Sequence, residues 1–421
     1  MEAVIVFSIL IVTIGLSIPI GITLGLSTGI AMWLTSDIPM VMLAQKSVTG
    51  LDSFPLLAIP FFILAGALMC NGGISRRLVN LAESLVGYIT GGLAMVTVLA
   101  CMFFAAISGS GPATVSAIGS FMIPSMKERK YDAGFAAAIT AAAGTIGVII
   151  PPSIPFVIYC IVAQCSIGDM FIAGIVPGVM IGIALMLVCY CTAKKRHYVS
   201  VTERPKFSTV WKAFREAFWA LLVPVIILGG IFSGIFSITE ASGVAVVYSA
   251  IIAFFVNRSV KLKDIPDMIV EAASTSGLVL ILAGAGTAMA WGIANERVMS
   301  LLIEPLSQMP QWEFLLLVNV LLLICGMFMD DYASTVILAP IIAPIAWAIG
   351  INPLHIGLVF CVNLVVGLAT PPFGVTLFVT SPIAGVRIEQ TAKEALPFLL
   401  MTIGILLLVT FIPDIALWLP E

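Results

Sequence analysis

The sequence predicts an all-α polytopic membrane protein built from two inverted structural repeats that contain broken helices. Three observations predict this fold: an apolar composition, a broken-helix motif that occurs twice, and basic residues confined to a few loops. Hydrophobic residues make up 61% of the 421 residues and charged residues only 10%. Soluble domains carry about 25% charged residues, so the composition excludes an ordinary soluble protein.

Apolar stretches recur along the chain, and a spanning helix needs ~20 residues. We place them at 3–34, 54–70, 91–107, 133–165, 171–192, 217–235, 241–256, 276–293, 314–329, 333–349, 356–380 and 397–419. The first and the fourth are overlong for one crossing, whereas those that start at 241, 314 and 333 are short. These lengths predict bent, re-entrant or half-spanning helices among the full crossings.

One broken apolar helix occurs twice, at an offset of 220 residues. Gly147 and Pro151-Pro152 in the first half correspond to Gly367 and Pro371-Pro372 in the second. A proline inside a helix removes a hydrogen bond and frees a backbone carbonyl. At membrane depth such a carbonyl is tolerated only where it faces protein or a polar cavity. A pair of breaks in corresponding halves therefore indicates a binding site near the membrane midplane.

Basic residues are clustered in the loops 127–130, 194–215 and 258–263, which the positive-inside rule makes cytoplasmic. The loops at an offset of 220 from the first two carry no such cluster. The halves are therefore predicted to be inverted, with the loop 194–215 inside and Glu421 outside. Residues 1–200 form the first inverted repeat, 201–216 a cytoplasmic linker and 217–421 the second repeat. We expect these clusters to orient the protein, with no nucleic-acid partner.

Two polar turns interrupt the apolar sequence. Ser108, Gly109, Ser110 and Gly111 form one, and the equivalent segment 328–334 forms the other. Hydroxyls, carbonyls and carboxylates are hard oxygen donors that suit a small cation. A turn and a break from the same half could enclose one cation, so two cation sites are expected. The alternative for the second turn is a surface loop in which its two aspartates cap the helix that follows.

Glu240, between two apolar segments, is open to two interpretations. If it is buried, Glu240 would be a coupling residue or a contact between domains. If it lies at the membrane interface, its charge would stabilise the start of the next helix through the helix dipole.

Several runs resemble one family. They are 103–155, with Ser108-Gly109-Ser110 and Ile150-Pro151-Pro152-Ser153-Ile154-Pro155; Thr239-Glu240-Ala241; Gly326-Met327-Phe328-Met329-Asp330; and Thr370-Pro371-Pro372-Phe373-Gly374. Together they resemble the large membrane subunit of tripartite ATP-independent periplasmic (TRAP) transporters over nearly the whole chain.

The resemblance implies a sodium-driven elevator-type importer of organic acid anions, of the C4-dicarboxylate, sugar acid or sialic acid type, with two re-entrant hairpins. It would work in the lipid bilayer of the bacterial inner membrane, with a soluble periplasmic solute-binding protein and a small four-helix membrane subunit. Sodium would be the coupling ion, and no cofactor is expected.

Carried over residue by residue, the resemblance assigns sodium and solute binding to two groups. They are Ser108, Gly109, Ser110, Gly144, Gly147, Pro151 and Ser153 in the first half, and Gly326, Asp330, Asp331, Ser334, Asn363, Gly367, Thr370 and Pro371 in the second. The pair Gly111-Pro112 departs from the Ser-Ser or Ser-Ala expected there, which leaves open which hydroxyl binds sodium.

Two other functions are weighed against this one. A sodium/dicarboxylate symporter that needs no binding protein would share the inverted repeats. An intramembrane protease would need catalytic partners, but Asp132 follows a basic loop and Ser110 has no histidine on a nearby apolar segment. We therefore expect a transporter and no enzyme.

Overall fold

The structure is a computed structural model that describes residues 2–16, 18–35, 38–198, 204–295, 306, 308–371 and 374–419. Within these ranges the regular structure is helical, as the sequence predicts. Pro372 and Glu421 lie outside the described residues, as does the first part of the predicted linker. The rest of that linker includes the start of a long helix, Phe207–Phe232.

The first half contains ten α-helices among the described residues. They are α1 (Glu2–Gly15), α2 (Ile20–Thr35), α3 (Val41–Leu51), α4 (Ala58–Asn71), α5 (Ile74–Val86), α6 (Gly92–Ser108), α7 (Gly111–Glu128), α8 (Ala133–Gly144), α9 (Ile154–Ala163) and α10 (Ile167–Lys195). Short 3₁₀ helices, Phe54–Leu57 and Thr145–Val148, precede α4 and follow α8.

The second half contains nine α-helices among the described residues. They are α11 (Phe207–Phe232), α12 (Ile238–Ile251), α13 (Ile265–Asn295), α14 (Gln311–Phe328), α15 (Asp331–Ala348), α16 (Pro353–Leu368), α17 (Val375–Ala384), α18 (Ile388–Phe411) and α19 (Asp414–Leu417). A π-helix (Ile252–Val256) continues α12, and a 3₁₀ turn (Leu262–Asp264) precedes α13.

Helix lengths confirm part of the predicted pattern. Eight helical segments of the described chain are long and apolar enough to cross a membrane. The two stretches predicted to be overlong, 3–34 and 133–165, are each divided between two α-helices, and the stretch 356–380 is divided in the same way. The expectation of short segments from 241, 314 and 333 is wrong, because Ile238–Val256, Gln311–Phe328 and Asp331–Ala348 all reach spanning length. The first turn of each of these helices contains polar residues, which the apolar stretches in the sequence do not include.

The internal repeat extends to the helix boundaries. Asp331–Ala348 is Gly111–Glu128 shifted by 220 at both ends, and α16 starts 220 residues after α8. The pairs α6 with α14, α9 with α17 and α10 with α18 start within one residue of the same offset. The doubled sequence motif thus marks two copies of one helical arrangement.

The two copies run in opposite directions through the molecule. Lys127 Nζ donates to the Ala384 carbonyl (2.7 Å), and the Asp132 amide donates to Tyr198 Oη (3.1 Å). These contacts place the start of α8 at the end of the molecule that carries Lys127, Arg129, Lys130 and Arg196, which we call the basic end. Asn352, just before α16, instead lines a surface depression with Gln164, which follows α9. Gln164 precedes α10, which runs over 29 residues to Lys195 at the basic end, so Asn352 lies at the other end. Equivalent helix starts therefore lie at opposite ends, as inverted repeats require.

The halves interlock through the helices that follow the breaks. Helix α9 of the first half packs on α15 and α16 of the second, and α17 of the second half packs on α7 and α8 of the first. At the basic end Arg196 and Glu394 form an ion pair (2.7 Å) between α18 and the end of α10. The two halves thus share one buried core around the breaks.

Helices α14 and α16 approach each other at a glycine pair. A Cβ added to Gly367 would lie 2.6 Å from the Gly326 Cα, which is closer than any real contact. The backbone of α14 therefore leaves no room for a side chain at position 367. Small residues permit such close approach between helices in membranes.

Gly367→Ala should lower the stability of the protein, because the added methyl group must push α14 and α16 apart. Overpacking of this kind costs roughly 1–3 kcal/mol. The midpoint of thermal unfolding in detergent measures it. Gly404→Ala is the matched control, since a Cβ at Gly404 has no neighbour within 4 Å. Equal midpoints for the two variants would contradict the close packing.

Candidate functional site

The first polar turn joins α6 to α7 in a geometry that glycine makes possible. Gly109 ends α6 with φ of +61°, and Ser110 is extended before α7 starts at Gly111. Positive φ is open to glycine at little cost, and a Cβ on Gly109 would also lie 2.7 Å from the Pro152 carbonyl oxygen. Pro112 occupies the first turn of α7, where proline is well tolerated. The Gly111-Pro112 departure therefore fits a helix start.

Three oxygens converge at this turn. Ser108 Oγ lies 2.8 Å from Thr114 Oγ1, which donates to the Ser110 carbonyl at 2.8 Å. Ser108 is 5% exposed and Thr114 is fully buried. Thr114 was not among the predicted site residues, although it stands one helical turn after Ser110, a spacing that could have indicated it. The turn thus forms a buried cluster of hard oxygen atoms.

The first break lies directly against this turn. The Ile154 amide donates to the Gly109 carbonyl (3.4 Å), and Gly147 packs against Thr114 and the Ser110 carbonyl. Ser153 Oγ donates to the Val148 carbonyl and so closes the break. The predicted turn and break of this half are therefore brought together.

Other predicted residues of the first half support the same packing. Gly144 lies against Val115 of α7, where a Cβ would overlap the Val115 side chain. Pro151 is buried and is joined to Pro152 by a cis peptide bond.

The second turn separates the roles of its two aspartates. Asp330 Oδ1 accepts a hydrogen bond from the Ala333 amide at 2.7 Å and caps α15. Asp331 is 3% exposed, and its Oδ2 has no hydrogen-bond partner among the described residues. The same holds for Ser334 Oγ, which is fully buried one helical turn later. The geometry of Asp330 matches the helix-cap interpretation, whereas Asp331 and Ser334 carry unpartnered oxygens.

The second break repeats the design of the first. Thr376 Oγ1 donates to the Leu368 carbonyl (3.0 Å), and Leu368 is the counterpart of Val148 at the offset of 220. Thr370 Oγ1 donates to the Val366 carbonyl (2.7 Å), and Pro371 follows it half-buried. A hydroxyl thus secures the same carbonyl position before each break.

A buried amide network lies in the second half, where the first half has Leu99 and Ala143 at the positions equivalent to Asn319 and Asn363. Asn363 Nδ2 donates to Asn319 Oδ1 (2.6 Å), and Asn319 Nδ2 donates to Thr410 Oγ1 (3.1 Å). Asn363 Oδ1 is buried without a hydrogen-bond partner in the described chain. Buried polar atoms are usually paired, so this oxygen joins those of Asp331 and Ser334 as a candidate ligand.

A cavity of about 240 Å³ lies where the two halves meet. Ser108 and Ser110 from the first turn line it together with Tyr332 from the second. Helices α4 and α13 close its other side with Asn71, Glu271 and Thr275. The sequence did not indicate these residues of α4 and α13, because each lies outside or at the edge of an apolar stretch and belongs to neither motif. Residues of both halves thus line one cavity.

Glu240 is exposed and takes part in a capping box. Its carboxylate accepts from the Ser237 amide (2.8 Å) and hydroxyl (2.7 Å), and the Glu240 amide donates to Ser237 Oγ (3.3 Å). This arrangement matches the helix-start interpretation. The neighbouring Thr239 Oγ1 donates to the Phe54 carbonyl (2.8 Å), which connects α12 to the segment before α4.

Asp132 is also a helix cap. Its Oδ1 accepts from the Phe135 amide at 2.9 Å, at the basic end. Burial raises the pKa of its neighbour Tyr131 to about 12, so this phenol stays neutral. Neither side chain is among those that line the cavity, and Asp132 and Asp330 each cap a different helix.

Comparison with known proteins identifies the family. The model of the DctM component of tripartite ATP-independent periplasmic transporters matches residues 7–415. The chain is 46% identical over 403 residues to the isethionate TRAP transporter permease protein DctMQ of Oleidesulfovibrio alaskensis, covering 95% of this chain and 64% of that protein. It is 43% identical to the C4-dicarboxylate large permease DctM of Pseudomonas aeruginosa, covering 95% and 94% of the two chains. It is 38% identical to the sialic acid large permease SiaM of Vibrio cholerae, covering 96% and 95%.

Solved structures support the fold. The YdaH transporter of Alcanivorax borkumensis superposes with a TM-score of 0.65 at 16% identity, over 92% of this chain and 91% of that chain. MtrF of Neisseria gonorrhoeae gives 0.61 at 14% identity, over 89% and 85%. The homologous proteins are transporter permeases, not enzymes. With a family model matched over almost its whole length and several relatives above 30% identity, this chain belongs to the family of TRAP transporter large permease subunits, the DctM component.

Proposed function

We propose that this subunit carries organic acid anions across the bacterial inner membrane by sodium symport. The observation that carries the proposal is the cavity at which the polar turns of both halves meet. Named relatives handle isethionate, C4-dicarboxylates and sialic acid, which are all anions. Hydroxyl donors line this cavity, as does Ala113 in the first turn of α7, and a helix start favours negative charge.

Sodium would bind beside the cavity, once in each half. In the first half, Thr114 Oγ1 lies 2.8 Å from both Ser108 Oγ and the Ser110 carbonyl oxygen, and the latter two are 3.4 Å apart. In the second, Asp331, Ser334 and Asn363 offer buried oxygens without hydrogen-bond partners among the described residues. An unpaired buried carboxylate is costly, and a bound cation would remove that cost. Sodium is a hard cation that prefers oxygen ligands, as calcium and magnesium do.

Delivery and movement complete the proposal. A soluble periplasmic binding protein would bring the solute, and a small four-helix membrane subunit would accompany this chain, as the family implies. An elevator movement would carry the helices around the breaks past α4 and α13. The cavity lies between the polar turns and these two helices, which supports a moving part around the breaks and a static part that includes α4 and α13.

Uptake should require both sodium and the binding protein. Proteoliposomes that contain this chain and its small subunit should accumulate a radiolabelled solute, drawn from isethionate, succinate and sialic acid, only with an inward sodium gradient and the cognate binding protein. Replacing sodium with potassium should abolish accumulation. Full uptake without the binding protein would instead favour the independent symporter, and uptake without sodium would reject sodium coupling.

Asp331→Asn should raise the sodium concentration for half-maximal uptake roughly tenfold or more, since ~1.4 kcal/mol of lost cation binding corresponds to a factor of ten. Asp330→Asn is the matched control, because its amide oxygen can still cap α15 through Ala333. It should leave the half-saturating sodium concentration nearly unchanged. Sodium titrations of initial uptake rates at equal expression measure both. Equal shifts in the two variants would remove the distinction between ligand and cap.

A further inference from the structure

The cavity between the halves contains one carboxylate and no basic side chain among the described residues that line it. Its donors are the hydroxyls of Ser108, Ser110 and Tyr332 near the polar turns. Its other end carries Asn71, Glu271 and Thr275. The one charged side chain among these lining residues, Glu271, therefore carries a charge of the same sign as the proposed anionic solute.

Glu271 lies in the second turn of α13, which follows the basic loop 258–263. Asn71, on α4, is followed by Gly72. The Gly72 carbonyl accepts a hydrogen bond from Asn257 Nδ2 (2.9 Å), which lies beside the basic loop 258–263. The cavity thus extends from the buried turns towards the basic loop 258–263. One end offers hydrogen-bond donors, and the other offers a carboxylate.

Glu271 takes part in no salt bridge within the described part of the chain. The described ion pairs are Arg129 with Glu83 and Arg196 with Glu394, and neither borders the cavity. The side chain of Glu271 is exposed, so it stays in contact with the solvent that fills the cavity. A carboxylate accepts hydrogen bonds and donates none when ionised.

We propose that Glu271 determines specificity by excluding solutes with a second carboxylate and admitting monoanions whose far end donates hydrogen bonds. The proposal rests on the proposed function, in which this cavity holds the solute. The anionic end of the solute would face the hydroxyls of the turns, and the far end would face Glu271, Asn71 and Thr275. There a hydroxyl, amide or ammonium group can donate to Glu271, whereas a carboxylate meets a like charge.

The size of the cavity enforces this contact. At about 240 Å³ it is smaller than the roughly 300–1,000 Å³ of drug-sized sites. A small diacid bound by one carboxylate at the turns therefore has little room to hold its second carboxylate away from Glu271, which lines the same cavity. Like charges a few ångströms apart in a partly solvated site repel measurably, so we expect discrimination of roughly tenfold or more.

Binding to the purified permease tests the proposal without the selectivity of the binding protein. The complex of this chain with its small subunit is titrated with succinate and with succinamate, which replaces one carboxylate of succinate by an amide of nearly the same shape. Thermal unfolding midpoints over a concentration series at pH 7.5 give the two Kd values. For the unmodified protein, succinamate should bind roughly tenfold more tightly than succinate.

Glu271→Gln should reduce the ratio of the Kd for succinate to the Kd for succinamate to within about threefold, mainly by improving succinate binding. Glu271→Asp should keep the tenfold ratio. Asp267→Asn is the matched control, because it removes the same charge one turn earlier on α13, at a residue that does not line the cavity. It should keep the tenfold ratio. A merely structural role for Glu271 would weaken both ligands equally.

Two results would overturn the proposal alone: equal Kd values in the unmodified protein, or a tenfold ratio that persists in Glu271→Gln. Both would leave the cavity as the solute site. Absence of binding by either ligand to the unmodified protein and to Glu271→Gln would reject the cavity as a site for small C4 acids, and with it the premise on which this proposal rests.

Discussion

The arrangement of the molecule depends on how two broken helices satisfy their backbone polar groups. Between α8 and α9, and again between α16 and α17, the helical ladder stops inside the apolar core. Such a break is tolerated only against protein or a polar cavity. The first break lies against the turn at Gly109, and the second against the glycine pair of α14 and α16. Hydroxyls of Ser153 and Thr376 secure the equivalent carbonyls.

This constraint explains why the halves interlock. Because each break redirects its helix, α9 packs on the second half and α17 on the first. The two polar turns consequently border a common region, and Ser108, Ser110 and Tyr332 line the same cavity. Inverted repeats place equivalent features on opposite sides of this region, which suits a site that must be reached alternately from both membrane faces.

The sequence was most informative where backbone breaks carry the signal. Gly147 and Gly367, with the prolines that follow, predicted the repeat and its offset of 220, and the helix boundaries confirm both. The lengths of three helices were underestimated, because their polar first turns lie outside the apolar stretches. The roles of Asp330 and Asp331 could not be separated, because adjacent residues differ only in their direction from the helix start. Asn71 and Glu271 belong to no motif, and folding alone brings them to the cavity.

The central claim is that sodium binds twice, once between the polar turn and the helix break of the first half and once between those of the second half. Hydrogen–deuterium exchange of the purified permease complex, compared in sodium and in potassium at equal ionic strength, tests it most directly. The account predicts slower exchange in sodium for peptides that cover 108–114 and 144–153, and also for peptides that cover 326–334 and 363–371. Unchanged exchange in all these segments, or sodium-dependent protection confined to other parts of the chain, would contradict it.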